Sequence, residues 1–129
     1  MAKILVIDDD AVVRETIVLL LQDDGYEVLA ADDGMRGMAL FRSEQPDLVI
    51  TDLIMPEKEG IETIRDIRGR SPDTKIIAIS GGARLRNFDY LRIAEKFGAN
   101  EVLAKPFDTG DLLDSVARCL MPAASGTAA

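Results

Sequence analysis

Five short apolar runs recur along the chain, and neighbouring runs are separated by longer segments with helical periodicity. The runs are KILVI (3–7), EVLAA (27–31), DLVIT (47–51), KIIAI (75–79) and EVLAK (101–105). Most are continuous rather than alternating in polarity, which is typical of strands covered on both faces. Because right-handed crossovers are the common way to join parallel neighbours, this alternation predicts a parallel sheet with helices on both faces.

The intervening segments carry apolar residues at the three- and four-residue spacing of amphipathic helices. The apolar stripes include Val13 and Ile17, Met38 and Phe41, Ile64 and Ile67, Phe88 and Leu91, and Leu112 and Val116. We therefore predict an α/β fold with five strands and five helices. A chain of 129 residues and 14.0 kDa, of which 47% are hydrophobic, has the size of one domain with one packed core.

The composition excludes several classes of function. The formal net charge is -8, from 15 basic and 23 acidic residues, which disfavours binding to nucleic acid or to an anionic membrane surface. No apolar run is long enough to span a membrane, and the N-terminus lacks a signal-peptide core, so we expect a cytoplasmic protein. The chain has no histidine and one cysteine, so it can build neither a histidine-based catalytic pair nor an internal disulfide.

Carboxylates follow two of the predicted strands. Asp8, Asp9 and Asp10 come directly after the first run, and Asp52 follows the third. Open parallel sheets bind ligands beyond the carboxyl ends of their strands, so Asp8, Asp9 and Asp52 are expected to lie close together. Carboxylates at close range repel one another unless they share a cation, and Mg²⁺ is a hard ion that takes oxygen ligands. We interpret Asp10 as a helix N-cap rather than as a member of this site.

Two further strand ends supply a hydroxyl and a cation. Ser80 follows the fourth run, and Lys105 ends the fifth run directly before Pro106, which restricts the lysine to an extended conformation. Both side chains can hydrogen-bond to phosphoryl oxygens. With one carboxylate as a nucleophile toward phosphorus, these residues suit phosphoryl transfer, which depends mainly on positioning and charge neutralisation.

These motifs resemble the receiver domain of bacterial two-component response regulators. The matching features are the acidic pair in ILVIDDD, Asp52 in LVITDLIMPEKEG, Ser80 after IIAI, and Lys105 in AKPF. The resemblance covers roughly residues 3–120 and implies a flavodoxin-like, doubly wound parallel sheet with strand order 2-1-3-4-5. It also implies that Asp52 is the phosphoacceptor and that Lys105 and Ser80 sense the phosphoryl oxygens. The implied Mg²⁺ ligands are Asp8, Asp9, Asp52 and the carbonyl of Ile54.

The resemblance also implies partners. A histidine kinase or a histidine phosphotransfer protein would supply the phosphoryl group, and the surface of the fourth helix, fifth strand and fifth helix would signal to a downstream target protein. The protein would be a phosphoacceptor with intrinsic phosphorylation and dephosphorylation chemistry rather than a conventional enzyme. It would be a monomer or a phosphorylation-dependent dimer.

The resemblance and the composition of the C-terminus indicate the extent of the domain. We expect residues 1–121 to form the receiver domain without an attached output domain, and the breaker-rich residues 122–129 to be a disordered tail.

Val102 lies three residues before Lys105, where the family commonly has an aromatic residue that turns inward on activation. A valine has no aromatic reach, so a swinging ring cannot be the readout.

A different class of function also fits part of the sequence. ILVIDDDAVV matches the pattern of haloacid-dehalogenase-type phosphatases, with Asp8 as nucleophile, Asp10 as acid and base, Ser80 as the hydroxyl and Lys105 as the lysine. That interpretation leaves TDLIMPEKEG unexplained and lacks the further acidic pair of that family. A flavin-binding electron carrier is disfavoured, because three aspartates after the first strand would repel a phosphate.

Overall fold

A computed structural model describes residues 2–53, 60–80, 92, 95–96 and 98–121. Its strands are β1 (Lys3–Ile7), β2 (Glu27–Ala31), β3 (Leu48–Asp52), β4 (Lys75–Ser80) and β5 (Glu101–Ala104). Its helices are α1 (Ala11–Asp23), α2 (Gly34–Glu44), α3 (Gly60–Arg70) and α4 (Thr109–Leu120). All five predicted strands are confirmed. The helix predicted around Phe88 and Leu91 lies largely outside the described residues, as do Ile54 and the expected tail 122–129.

The five strands form one parallel sheet in the order β2-β1-β3-β4-β5, which confirms the doubly wound topology. The order reverses at β1, which pairs with β2 on one side and with β3 on the other. In the β1–β3 register Ile7 lies opposite Thr51. The residues that follow this pair, Asp8 and Asp52, therefore emerge side by side at the switch point, where open α/β sheets bind ligands.

Buried apolar residues cover both faces of the sheet. On one face α2 and α3 pack through Met38, Phe41, Ile64 and Ile67. On the other face α1 and α4 pack through Ile17, Leu21, Leu112, Val116 and Cys119. Alternate residues of β1 point to opposite faces, with Leu5 and Ile7 in the first cluster and Ile4 and Val6 in the second. Because the central strands are buried on both sides, their sequences are apolar without alternation.

Aspartates fix the starts of three helices. The carboxylate of Asp10 accepts hydrogen bonds from the backbone N–H groups of Val12 and Val13 at 3.0 and 3.2 Å, which confirms its predicted role as the N-cap of α1. Asp33 and Asp108 cap α2 and α4 in the same way. None of the helices among the described residues is long and apolar enough to cross a membrane.

Candidate functional site

Three carboxylates meet where β1 and β3 end. Asp8 directly follows β1 and is 1% exposed, and Asp52 is the last residue of β3 and is 6% exposed. Asp9 lies on the solvent side of the pair. One oxygen from each of the three carboxylates lies within 4.8 Å of the others. The structure therefore brings together the three side chains predicted as metal ligands, while Ile54, the fourth, lies outside the described residues.

Lys105 bridges the two buried carboxylates. Its backbone N–H donates to the carbonyl of Ser80 at 2.8 Å, which continues the β4–β5 pairing and places the lysine over the site. Its Nζ lies 3.2 Å from Oδ2 of Asp8 and 3.8 Å from Oδ1 of Asp52. The peptide bond that joins it to Pro106 is cis. The ammonium thus neutralises part of the charge that burial of Asp8 and Asp52 would otherwise leave unpaired.

Ser80 is the last residue of β4 and is 1% exposed. Its Oγ has no hydrogen-bond partner among the described residues. A buried hydroxyl without a partner costs about 1–3 kcal/mol, so such groups are rare away from functional sites. A phosphoryl oxygen at this end of the sheet could accept a hydrogen bond from the Ser80 hydroxyl, which is the contact that the sequence predicts.

Burial also changes the protonation of the two inner carboxylates. Burial, together with the negative charge of Asp8, raises the pKa of Asp52 to about 7. Burial raises the pKa of Asp8 as well, although a backbone hydrogen bond from Asp10 and the charge of Lys105 oppose the change. Both carboxyls therefore resist ionisation unless additional positive charge enters the site.

The raised pKa of Asp52 predicts a pH dependence of stability. In metal-free protein Asp52 binds its proton more tightly when folded than when unfolded, where its pKa is near 3.8. Its contribution to the free energy of unfolding should therefore fall as pH rises from about 4 to about 7. Urea denaturation in EDTA should show that Asp52→Asn gains on the order of 2–4 kcal/mol relative to the wild type between pH 4 and pH 8. A constant difference across that range would contradict the prediction.

The donor set fits a hard divalent cation. Carboxylate oxygens from Asp8, Asp9 and Asp52 converge within 4.8 Å, and oxygen ligands are those that Mg²⁺ prefers. Burial raises the pKa of Asp8 and of Asp52, and the charge of Lys105 only partly opposes the change. A cation bound there would favour their ionised forms.

Two positions near the site show roles that the sequence did not reveal. The N–H of Gly60 donates to the carbonyl of Leu53 at 2.9 Å, so α3 begins in direct contact with the end of β3. Arg14 of α1 donates from Nη1 to the backbone carbonyl of Asp8 at 2.8 Å. Gly60 was visible only as the last residue of a motif, and Arg14 carried no sequence signal beyond its place in α1. Val102 of β5 is partly buried against the α2–α3 face of the sheet.

Comparison with known proteins identifies a family to which most of the chain matches. The family model described as the response regulator receiver domain matches residues 4–117. The chain is 36% identical over 112 residues to the response regulator MprA of Mycobacterium tuberculosis, covering 86% of this chain and 47% of MprA. A receiver domain from Clostridium thermocellum superposes with a TM-score of 0.86 at 35% identity, covering 93% of this chain and 94% of that one. Chemotaxis protein CheY4 of Vibrio cholerae superposes with a TM-score of 0.83 at 32% identity, covering 93% and 99% of the two chains.

The phosphatase interpretation of the first acidic motif is not supported. The family match assigns the motif to a receiver domain. The carboxylate that the phosphatase mechanism would use as acid and base belongs to Asp10, which is exposed and accepts hydrogen bonds from two backbone N–H groups of α1. The motif TDLIMPEKEG, which that interpretation left unexplained, lies within the residues that the receiver-domain model matches.

Proposed function

The chain belongs to the family of response regulator receiver domains, and on that basis we propose that Asp52 is its phosphoryl acceptor. A carboxylate oxygen of Asp52 would attack the phosphorus of a phosphohistidine. A P–O bond forms as the P–N bond breaks, and the imidazole leaves. The observation that carries this proposal is a buried carboxylate at the end of β3 beside β4, whose last residue, Ser80, has a buried Oγ with no partner among the described residues.

The neighbouring side chains suit the product of this transfer. Lys105 Nζ already lies 3.8 Å from an oxygen of Asp52 and can donate to a phosphoryl oxygen attached there. Ser80 can donate its hydroxyl proton to another phosphoryl oxygen. Because the backbone N–H of Lys105 donates to the Ser80 carbonyl, the two residues are hydrogen-bonded neighbours at the ends of β5 and β4.

We propose Mg²⁺ as the cofactor, with Asp8, Asp9, Asp52 and the carbonyl of Ile54 as its protein ligands. Bound Mg²⁺ supplies charge neutralisation to the carboxylates and to the phosphoryl oxygens. The carboxylates of the chain fix the position of that charge, because Asp8 and Asp52 are buried and held by Lys105. The positive charge of the ion would offset the effect of burial, which raises the pKa of both Asp8 and Asp52.

The partners follow from the acceptor role. The chain spans about half the length of the curated relatives it matches, such as the 47% of MprA that it covers. A family match to a two-component receiver implies a kinase partner, and we propose a histidine kinase or a histidine phosphotransfer protein as the donor. The modified domain would then act on a downstream target protein. Receiver domains are typically not conventional enzymes, and transfer to Asp52 would be stoichiometric.

The proposal is tested by the mass of the intact protein after incubation with acetyl phosphate and Mg²⁺. We expect the wild type to gain one phosphoryl group, and the adduct to disappear when Mg²⁺ is replaced by EDTA. The Asp52→Ala variant should gain nothing, because it has lost the nucleophile. The adduct is expected to survive in Asp10→Ala, the matched control, since that carboxylate only caps α1.

The same experiment separates acceptor chemistry from turnover. An acyl phosphate on Asp52 should be released by hydroxylamine, which attacks the activated carboxyl group. If Asp52→Ala still gains a phosphoryl group, the acceptor assignment is wrong, and peptide mapping of the adduct would test whether Asp8 is the nucleophile. Continuous release of inorganic phosphate that depends on Asp8 and not on Asp52 would instead support the phosphatase mechanism.

A further inference from the structure

The side chain of Asp9, unlike that of Asp8, is not held by contacts within the described part of the chain. Asp9 is exposed, and its carboxylate makes no hydrogen bond or ion pair within the described part of the chain. Asp8, by contrast, is held through both oxygens, because Oδ1 accepts the N–H of Asp10 at 2.9 Å and Oδ2 accepts from Lys105 at 3.2 Å. The direction of the Asp9 carboxylate therefore depends on the backbone on either side of it.

Two hydrogen bonds fix that backbone. The peptide unit after Asp9 is held by the bond from the Asp10 N–H to the Asp8 carboxylate. The peptide unit before Asp9 is held by the bond from Arg14 Nη1 to the Asp8 carbonyl at 2.8 Å. The bond to the peptide unit before Asp9 restrains its φ, and the bond to the unit after it restrains its ψ. Together these angles set the direction in which the Asp9 side chain leaves the backbone. Arg14 supplies the second restraint from α1, one turn beyond the N-cap.

We infer that Arg14 is a positioning residue that sets the affinity of the acidic site for a divalent cation by fixing the peptide unit before Asp9. The inference rests on the proposed metal role of Asp8 and Asp9. Arg14 itself bonds to a backbone carbonyl and to none of the three carboxylates. Partners that orient metal ligands in this way typically change metal affinity by about 10- to 100-fold when they are removed.

The effect of Arg14 on geometry has the opposite sign to the effect of its charge. A guanidinium close to the acidic cluster disfavours a second cation, so removing its charge alone would strengthen metal binding. Removing its hydrogen bond frees the peptide unit before Asp9, which would weaken binding. The direction of the change in affinity therefore separates positioning from simple electrostatics.

The chain offers a matched control in Arg36. It lines the same groove at the end of β2 as Arg14, but its Nε lies 3.6 Å from Oδ1 of Asp32 in an exposed ion pair. A substitution at Arg36 removes the same charge from the same groove without touching the backbone of Asp8.

The test measures binding of Mn²⁺ to the unphosphorylated protein by electron paramagnetic resonance. We expect Arg14→Met, which keeps an unbranched stem but has no hydrogen-bond donor, to raise the Kd for Mn²⁺ about tenfold. Arg14→Lys keeps a donor and should recover part of the affinity, and it also serves if Arg14→Met folds poorly. Arg36→Met should leave the Kd within about twofold of the wild type. Urea denaturation of each variant separates a change in affinity from a loss of folded protein.

An unchanged or tighter Kd in folded Arg14→Met would overturn the inference, as would an equal loss in Arg36→Met. Those results would leave the acceptor role of Asp52 intact, because Asp52→Ala would still abolish the phosphoryl adduct. If the wild type binds no Mn²⁺ at all, both the metal part of the proposed function and the role of Arg14 are wrong.

Discussion

Replacing Gly60 with alanine should destabilise the protein by about 2–3 kcal/mol and impair phosphorylation of Asp52. A Cβ at this position would clash with the carbonyl oxygen of Asp52 and lie 2.6 Å from Cα of Leu53. These are backbone atoms at the end of a buried strand, so they cannot move aside as the end of a flexible side chain could. Either α3 shifts away from β3, or the end of β3 moves and carries the Asp52 carboxylate with it.

Urea denaturation and acetyl phosphate labelling measure the two effects. Gly69→Ala is the matched control, because it makes the same change in the same helix where a Cβ would meet nothing within 4 Å. Alanine has the higher helix propensity, so the control should be unchanged or more stable by up to about 1 kcal/mol. If Gly60→Ala is as stable as the wild type and is labelled at the same rate, the close approach of α3 to Asp52 does not constrain the acceptor.

Replacing Arg68 with methionine should lower the free energy of unfolding by about 2–4 kcal/mol. The guanidinium of Arg68 joins the loop after α3 to the residues before β5. It donates hydrogen bonds of 2.7–3.2 Å to the carbonyls of Ser71, Pro72, Thr74 and Gly98 and to Oδ1 of Asn100. Oδ1 of Asn100 also accepts the N–H of Ile76 at 2.9 Å, so the network extends to the start of β4. Methionine keeps an unbranched apolar stem but ends where the guanidinium begins, so it leaves all five acceptors without this donor.

The free energy of unfolding of Arg68→Lys should lie between those of the wild type and Arg68→Met. An ammonium carries fewer donors than a guanidinium and cannot match its planar fork. Arg70→Met is the control, since Arg70 is exposed in the same helix and does not belong to this network. Chemical denaturation monitored by circular dichroism compares the four proteins. A loss in Arg68→Met no larger than that in Arg70→Met would show that water replaces the guanidinium without cost.

The strands, the N-cap of α1 and the convergence of Asp8, Asp9 and Asp52 could be predicted from the sequence, because each depends on local pattern and strand order. Continuous apolar runs such as KILVI and DLVIT are required by burial on both faces of a parallel sheet. Asp10 could be assigned as an N-cap because an aspartate before an apolar stripe satisfies free N–H groups of the first turn. Asp8, Asp52, Ser80 and Lys105 could be expected at one edge of the sheet because the carboxyl ends of parallel strands meet there.

The geometry inside the site could not be predicted, because it depends on which atoms meet across elements far apart in the chain. Lys105 is 97 residues from Asp8, and only the order of β1, β3, β4 and β5 brings its Nζ to 3.2 Å from that carboxylate. Ser80 Oγ is buried and has no hydrogen-bond partner among the described residues, and burial raises the pKa of Asp52. The sequence indicates burial only on average.

The sequence by itself determined the fold class, the strand ends and the residue types that suit phosphoryl transfer, since periodicity and residue chemistry are written in neighbouring positions. Only the tertiary structure decided the roles of Gly60, Arg68 and Arg14. Gly60 matters because of backbone contact with Asp52, and Arg68 and Arg14 because their guanidinium groups reach backbone carbonyls. Backbone carbonyls are the same at every position of the chain, so no sequence pattern marks which of them a distant side chain will find.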